Sequence, residues 1–193
     1  MATNVEIANI AMTLLGEDTI ISLTSDLGEK ERKVNAIYNT TRDSVLRDYP
    51  WNFATTQTTL GLLSTAPRYD YDYAYQLPSD FIRMVGIEGN VEFKIVGDKL
   101  YTNSDNGNIT YIKRETDPAK FDSLFVKAFA AKLAFELSYS LTNSNTLQGT
   151  MAAYYKELII DAKRVDSQDE TPDSLFNDEL TDARLGTFSV NLD

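Results

Sequence analysis

The chain contains no cysteine and no histidine. The first absence excludes disulfides, thiolate zinc sites and cysteine nucleophiles. The second removes the commonest general base and the commonest transition-metal ligand, so most hydrolase and metalloenzyme constellations have no residues to be built from. Basic charge is scarce as well: 18 Lys plus Arg stand against 29 Asp plus Glu, a formal net charge of -11. With a pI near 4.5, the chain has no cationic excess to displace counterions from a nucleic-acid backbone. Long apolar runs are missing too. The most apolar stretch, residues 124–137, is interrupted by Lys127, Lys132 and Glu136, so it is no membrane span. No basic region followed by an apolar one opens the sequence, and no secretory leader is expected. The glycines lie in turns and no Gly-Lys-Ser/Thr occurs, which leaves no phosphate-binding loop.

What remains is foldable. The 193 residues are 42% hydrophobic and 11% aromatic, enough for one domain, or a small domain carrying an insertion. Thr3-Asn4-Val5-Glu6 has the form of a capping box, and Ile7, Ile10, Ala11, Leu14 and Leu15 recur at helical spacing up to Gly16. A second helix is predicted over about residues 27–48, with Val34, Ile37, Tyr38, Thr41 and Val45 as its buried stripe and a solvated charge cluster at residues 29–33. It runs into Tyr49, Pro50, Trp51 and Phe53. Pro50 disfavours helical geometry at Tyr49, so the helix stops at or before Asp48. Trp51 and Phe53 then follow at strand spacing, which puts both rings on one side and makes these four residues the expected structural pivot between a helical and a β part.

From residue 53 to about 114 the periodicity turns alternating. Residues 55–62 fit an edge strand, residues 67–73 an exposed tyrosine-rich loop, and Ser79-Asp80 a turn between flanking strands. Gly89-Asn90, Gly97-Asp98 and Asn106-Gly107 suit tight hairpins, dividing residues 81–88, 91–96, 99–103 and 108–114 into one antiparallel meander. Residues 103–108 fit a plain turn better than a calcium loop, because aligning Gly107 with that loop's invariant glycine puts Lys113 where a bidentate glutamate belongs. Asp117-Pro118 predicts the start of a third helix running to about 141. Apolar residues surround it almost completely, so it is central in its bundle or covered by another subunit, with Phe125, Phe129, Leu133 and Phe135 as the candidate subunit-contact residues. A fourth helix is predicted over about 146–165.

Residues 166–193 are acidic and contain Pro172, yet Leu175, Phe176, Leu180, Leu185 and Phe188 interrupt them. Spaced apolar anchors of this kind fit an arm that orders on a partner, or alternatively a tail packed on its own subunit. The expected fold is α+β: a four-helix bundle from two N-terminal and two C-terminal helices (1–52 and 115–165), an inserted antiparallel β meander (53–114) and an extended C-terminal arm (166–193). A muralytic glycosidase running on two carboxylates is the enzyme alternative, although no spacing pairs two acids in an apolar segment. An acidic chaperone-like or regulatory protein for a basic partner is the binding alternative. No cofactor and no metal are expected.

Taken together, Leu14-Leu15-Gly16, Tyr38, Arg42 to Arg47, Pro50 to Ala54, Tyr75 to Arg83 and Tyr111-Ile112-Lys113-Arg114 leading through Thr116-Asp117-Pro118 into the Ala-rich third helix form an ordered series. In this order and at these lengths the chain resembles the tail tubular protein A, or head-to-tail adaptor (connector), family of tailed bacteriophages. The resemblance implies a non-enzymatic ring homo-oligomer, a dodecamer, located in the virion neck or tail and in the host cytoplasm during assembly. Its implied partners are the portal protein, with the 166–193 arm as the docking element, and a downstream tail or nozzle protein. DNA is expected to pass through the lumen without sequence-specific binding, and no membrane is involved. An acidic chain suits a bore that must not grip phosphates.

Overall fold

A computed structural model describes residues 2–24, 28–64 and 71–169. The described residues form a mixed α and β structure of four helices and two small three-stranded antiparallel sheets. In chain order these are α1 (Asn4–Leu14), α2 (Glu29–Asp48), β1 (Thr55–Thr59), β2 (Tyr73–Gln76), β3 (Phe81–Ile87), β4 (Phe93–Val96), β5 (Lys99–Thr102), β6 (Asn108–Lys113), α3 (Ser123–Thr142) and α4 (Asn145–Asp166).

The predicted capping box opens α1: the Thr3 hydroxyl accepts from the Glu6 amide at 3.2 Å while the Glu6 carboxylate accepts from the Thr3 amide at 2.7 Å. Past α1 the chain doubles back, and the Asn9 side chain holds it there. Its amide group donates to the Ile20 carbonyl at 3.1 Å and its oxygen accepts from the Ile20 amide at 2.7 Å. Ile20 and Leu23 are thereby turned into the core while Ile21 faces solvent. The helix α2 stops at Asp48, with Tyr49 extended (φ -148°, ψ 152°) ahead of Pro50.

Asp117-Pro118 opens only a short 3₁₀ turn, Pro118–Lys120. The chain then straightens at Phe121, and Asp122 caps α3 by accepting from the amides of Leu124 (2.7 Å) and Phe125 (3.3 Å). Two acidic caps five residues apart competed for one helix start. The second won because stopping the turn lets Phe121 drop into the aromatic core beside Phe53 and Phe125. Asn143 ends α3 in the left-handed region (φ 51°), and Ser144 caps α4.

The single meander is replaced by two sheets, ordered β1-β6-β3 and β2-β5-β4. Of the three predicted tight turns, only Gly97-Asp98 closes a hairpin, between β4 and β5. Gly89 and Asn90 do take positive φ, yet they carry the chain from one sheet to the other, as does Asn106-Gly107 on the return. Ser79-Asp80 likewise joins strands of different sheets. The driving term is burial: in one flat sheet, Ile87, Leu100, Ile109 and Tyr111 would line a face with nothing over it. Split in two, the sheets enclose them with Leu60, Tyr75 and Leu77 in a common core.

A second and larger core lies among the helices, where α3 packs against α1, α2 and α4. The sheet β1-β6-β3 serves both cores. Ile82 and Ile112 point into the helical one, while Ile87, Ile109 and Tyr111 point the other way.

Candidate functional site

Helix α2 ends with carbonyls that have no intrahelical donor, and the following residues supply partners for them. The Trp51 indole donates to the Val45 carbonyl at 2.9 Å, and the Arg83 guanidinium donates to the Arg47 carbonyl at 3.1 Å. In return, the Arg47 guanidinium donates to the Ile82 carbonyl in β3 at 2.6 Å. One turn earlier, Asp43 accepts from Arg42 at 2.8 Å and from Arg114, just beyond β6, at 2.8 Å. The Arg42 guanidinium is nearly buried, so Asp43 and the Asn39 side chain (3.0 Å) are its compensation.

Trp51 is fully buried at this junction. Its ring meets Tyr49 edge-on at 5.2 Å, Phe125 edge-on at 5.1 Å and Phe53 in a stacked arrangement at 6.3 Å. Phe53 in turn contacts Phe125 at 4.8 Å and Phe121 at 5.6 Å. Tyr49, Pro50, Trp51 and Phe53 thus sit together where the helices meet the sheet. Their geometry departs from the expectation in one respect: residues 52–54 form a 3₁₀ turn, and the strand starts only at Thr55. Burial of two large rings against α3 outweighs the weak strand preference of Asn52 and Ala54.

The far end of the chain closes on the same place. The Asn52 amide donates to the Asp166 carboxylate at 3.1 Å, and the Asn52 side chain donates to the Asp166 carbonyl at 2.7 Å. Lys163, one turn back, reaches Asp48 at 3.0 Å. Sequence inspection missed this lock because 114 positions separate its members; an Asn following the Pro-Trp pair was the only local signal.

Glu115 is a second element the sequence did not disclose. Nearly buried after β6, its carboxylate accepts from the amides of Thr116 and Asp117 at 3.1 Å and pairs with Lys113 (3.0 Å) and Lys120 (3.3 Å). Burial pushes this carboxyl up, but the Asp117 amide and the two ammonium groups outweigh it and hold the group below its ordinary value. These contacts fix the entry into the 3₁₀ turn.

The candidate subunit-contact residues are corrected by the packing. Phe125, Phe129 and Leu133 are wholly buried inside the chain and have no surface to offer a neighbour. Phe135 is partly buried, with Lys132 over its ring at 5.0 Å. Up to Ser138, helix α3 is apolar almost all round because its own chain packs around it. Leu175, Phe176, Leu180, Leu185 and Phe188 lie outside the described residues.

A concavity of about 590 Å³ lies over the β1-β6-β3 sheet, lined by Gln57, Thr59, Gly86, Glu88, Asn108 and Thr110 among others. Its carboxylate, Glu88, accepts from the side-chain amides of Asn108 (2.6 Å) and Asn106 (2.5 Å), which hold its pKa down. A carboxylate kept ionised in this way is a poor proton donor, and among the described residues no second acid lines the concavity. No helix among the described residues is long and apolar enough to cross a membrane. The chain matches no family model, and a search of curated proteins returns no match.

Proposed function

We propose that this chain is a non-enzymatic adaptor subunit of a tailed phage, assembling into a ring between portal and tail through which DNA passes. One observation carries the proposal. Several of the residues on which the resemblance rests, from Asp43 to Phe121, meet at a single junction: Asp43 with Arg114, Arg47 with Ile82 and Arg83, and Trp51 and Phe53 with Phe121 and the neighbouring Phe125. They tie helices to sheet, the role expected of a signature that preserves shape.

In this reading, the helices form a four-helix bundle built from both ends of the chain, and residues 166–193 form the arm that docks on the portal. With Phe125, Phe129 and Leu133 committed to the interior, the lateral contacts fall to apolar groups still in solvent on α4 and at the C-terminal end of α3. Ile160 (65% exposed) and Tyr139 (52% exposed) are the foremost. The net charge of -11 suits a lumen that lets a polyanion slide.

Purified chain mixed with portal rings and viewed by electron microscopy should add a ring below the portal, and native mass spectrometry should give its copy number. A chain that stays monomeric and leaves the portal bare would reject the proposal. Deleting residues 169–193 should leave the fold intact and abolish docking; docking that survives the deletion unchanged removes the arm from the anchoring role. A salt-sensitive one-to-one complex with a basic protein, without any ring, would favour the chaperone-like alternative.

A further inference from the structure

Exposed sheet edges are normally protected, because a row of unpaired amides and carbonyls is a template for another strand. Three of the edges in this chain show such protection. The outer edge of β2 is met by the preceding segment, where the Leu63 amide donates to the Ala74 carbonyl at 2.8 Å and the Gln76 amide to the Gly61 carbonyl at 3.3 Å. The outer edge of β3 is interrupted by two register shifts and capped by Arg47 on the Ile82 carbonyl. The edge of β4 is four residues long and carries Lys94.

The β1 edge has none of these devices. Thr55-Thr56-Gln57-Thr58-Thr59 stands at the end of its sheet, is uncharged, lacks proline and pairs with β6 in unbroken register. Since the Leu60 amide donates to the Gly107 carbonyl at 2.9 Å, alternation along the ladder turns the backbone groups of Thr56 and Thr58 towards β6. Those of Gln57 and Thr59 point outward, as does the Thr55 carbonyl. The Thr55 amide is engaged by the Trp51 carbonyl at 2.9 Å.

The order of the five residues indicates what fits there, because it reads the same in both directions about Gln57. When a second copy approaches antiparallel with a two-fold axis at Gln57, outward-pointing residues oppose outward-pointing ones, the condition for a hydrogen-bonded ladder. Gln57 then exchanges both backbone bonds with the partner's Gln57, and each Thr59 amide meets the other copy's Thr55 carbonyl. A register displaced by one residue would set Gln57 against backbone groups turned away from it. The side chains match as well: Thr56 stands opposite Thr58, Thr55 opposite Thr59, and Gln57 opposite itself. No like charges meet, and threonine hydroxyls come within reach of one another. Gln57 and Thr59 are exposed, on the face they share with Thr110 and Asn108.

We infer that two copies of this chain pair through β1, so that the β3-β6-β1 sheet of one continues across a two-fold axis at Gln57 into that of the other. Such a contact closes at two subunits. It is separate from the ring proposed above, whose lateral contacts lie on the helices, and Ile160 and Tyr139 take no part in it. A five-residue edge buries less than the roughly 1,200 Å² of a stable interface, so the pair should separate on dilution.

Sedimentation equilibrium on the full chain and on Gln57 variants tests it. The parent should form a dimer at high micromolar concentration. Gln57→Pro removes the outward amide without touching a bond to β6, so it should weaken association about tenfold or more. Amide exchange at Thr58 and Leu60 should stay as in the parent, which shows that the ladder to β6 is intact. Gln57→Lys and Gln57→Glu should each self-associate about fivefold more weakly, since like charges meet at the axis, and their one-to-one mixture should recover the parent's association. That recovery identifies a two-fold contact centred on this residue and does not depend on the proline variant folding. A parent that stays monomeric, association of any size that the three variants leave unchanged, or a mixture no tighter than its components would each overturn the inference.

Discussion

The Trp51 indole nitrogen lies 2.9 Å from the carbonyl oxygen of Val45 in the last turn of α2, so the ring that fills the junction also satisfies a helix-end acceptor. Trp51→Phe keeps an aromatic ring but leaves that buried carbonyl without a donor, at a cost of about 1–3 kcal/mol. Trp51→Ala adds a cavity and should cost about 3–5 kcal/mol. Urea denaturation followed by far-UV circular dichroism measures both, since the variants lose the only tryptophan. Equal stability of Trp51→Phe and parent would show that the hydrogen bond contributes nothing net.

Gly107 and Gly86 should respond oppositely to alanine. A Cβ at Gly107 would sit 2.8 Å from the Tyr75 ring and 3.0 Å from the Leu60 carbonyl, whereas one at Gly86 meets nothing within 4 Å. Gly107→Ala should therefore destabilise by about 1–3 kcal/mol through overpacking, and Gly86→Ala should be neutral or slightly stabilising. Thermal melts of the two variants side by side decide it.

Glu115 makes stability depend on acid in a defined direction. Its carboxyl is held below the ordinary 4.5 by the Asp117 amide and by Lys113 and Lys120, against burial. The stability it supplies is therefore complete above that value and drains as pH falls through the lower folded one. Glu115→Gln should be less stable than the parent at pH 7, by about 1 kcal/mol, and the gap should close towards pH 3. A gap that stays constant between pH 7 and 3 would mean the carboxylate is not the group responsible.

Asp166→Ala removes the acceptor of the Asn52 amide and should cost about 1–2 kcal/mol. The loss should also loosen the end of α4, visible as faster amide exchange at Lys163 and Val165 with the middle of α3 unaffected. Uniform acceleration across α3 would instead mean that Asp166 supports the whole helical core.

The helical half of the fold was legible because its signals are local. Thr3 and Glu6 announced α1, Pro50 ended α2, and the apolar surround of α3 announced a central helix, although it did not tell whether the cover was the same chain or another. Phe125, Phe129 and Leu133 show why: periodicity reports that a face is covered, never by what. The sheet was harder. Gly89-Asn90 and Asn106-Gly107 carry hairpin chemistry, but which strands they join was decided by the burial of Ile87, Leu100, Ile109 and Tyr111, a non-local condition. The junction residues Arg47, Arg83, Asn52 and Asp166 were visible only as letters, because their hydrogen bonds join positions dozens to over a hundred residues apart.

Because β6 turns Ile112 towards the helices and Ile109 and Tyr111 towards the other sheet, it is a party wall: neither room stands if it is taken down. A fragment of residues 53–114 made on its own would expose Ile82 and Ile112 to water and lose Asp43 as the partner of Arg114. Such a piece should aggregate, and the intact chain should melt in one step.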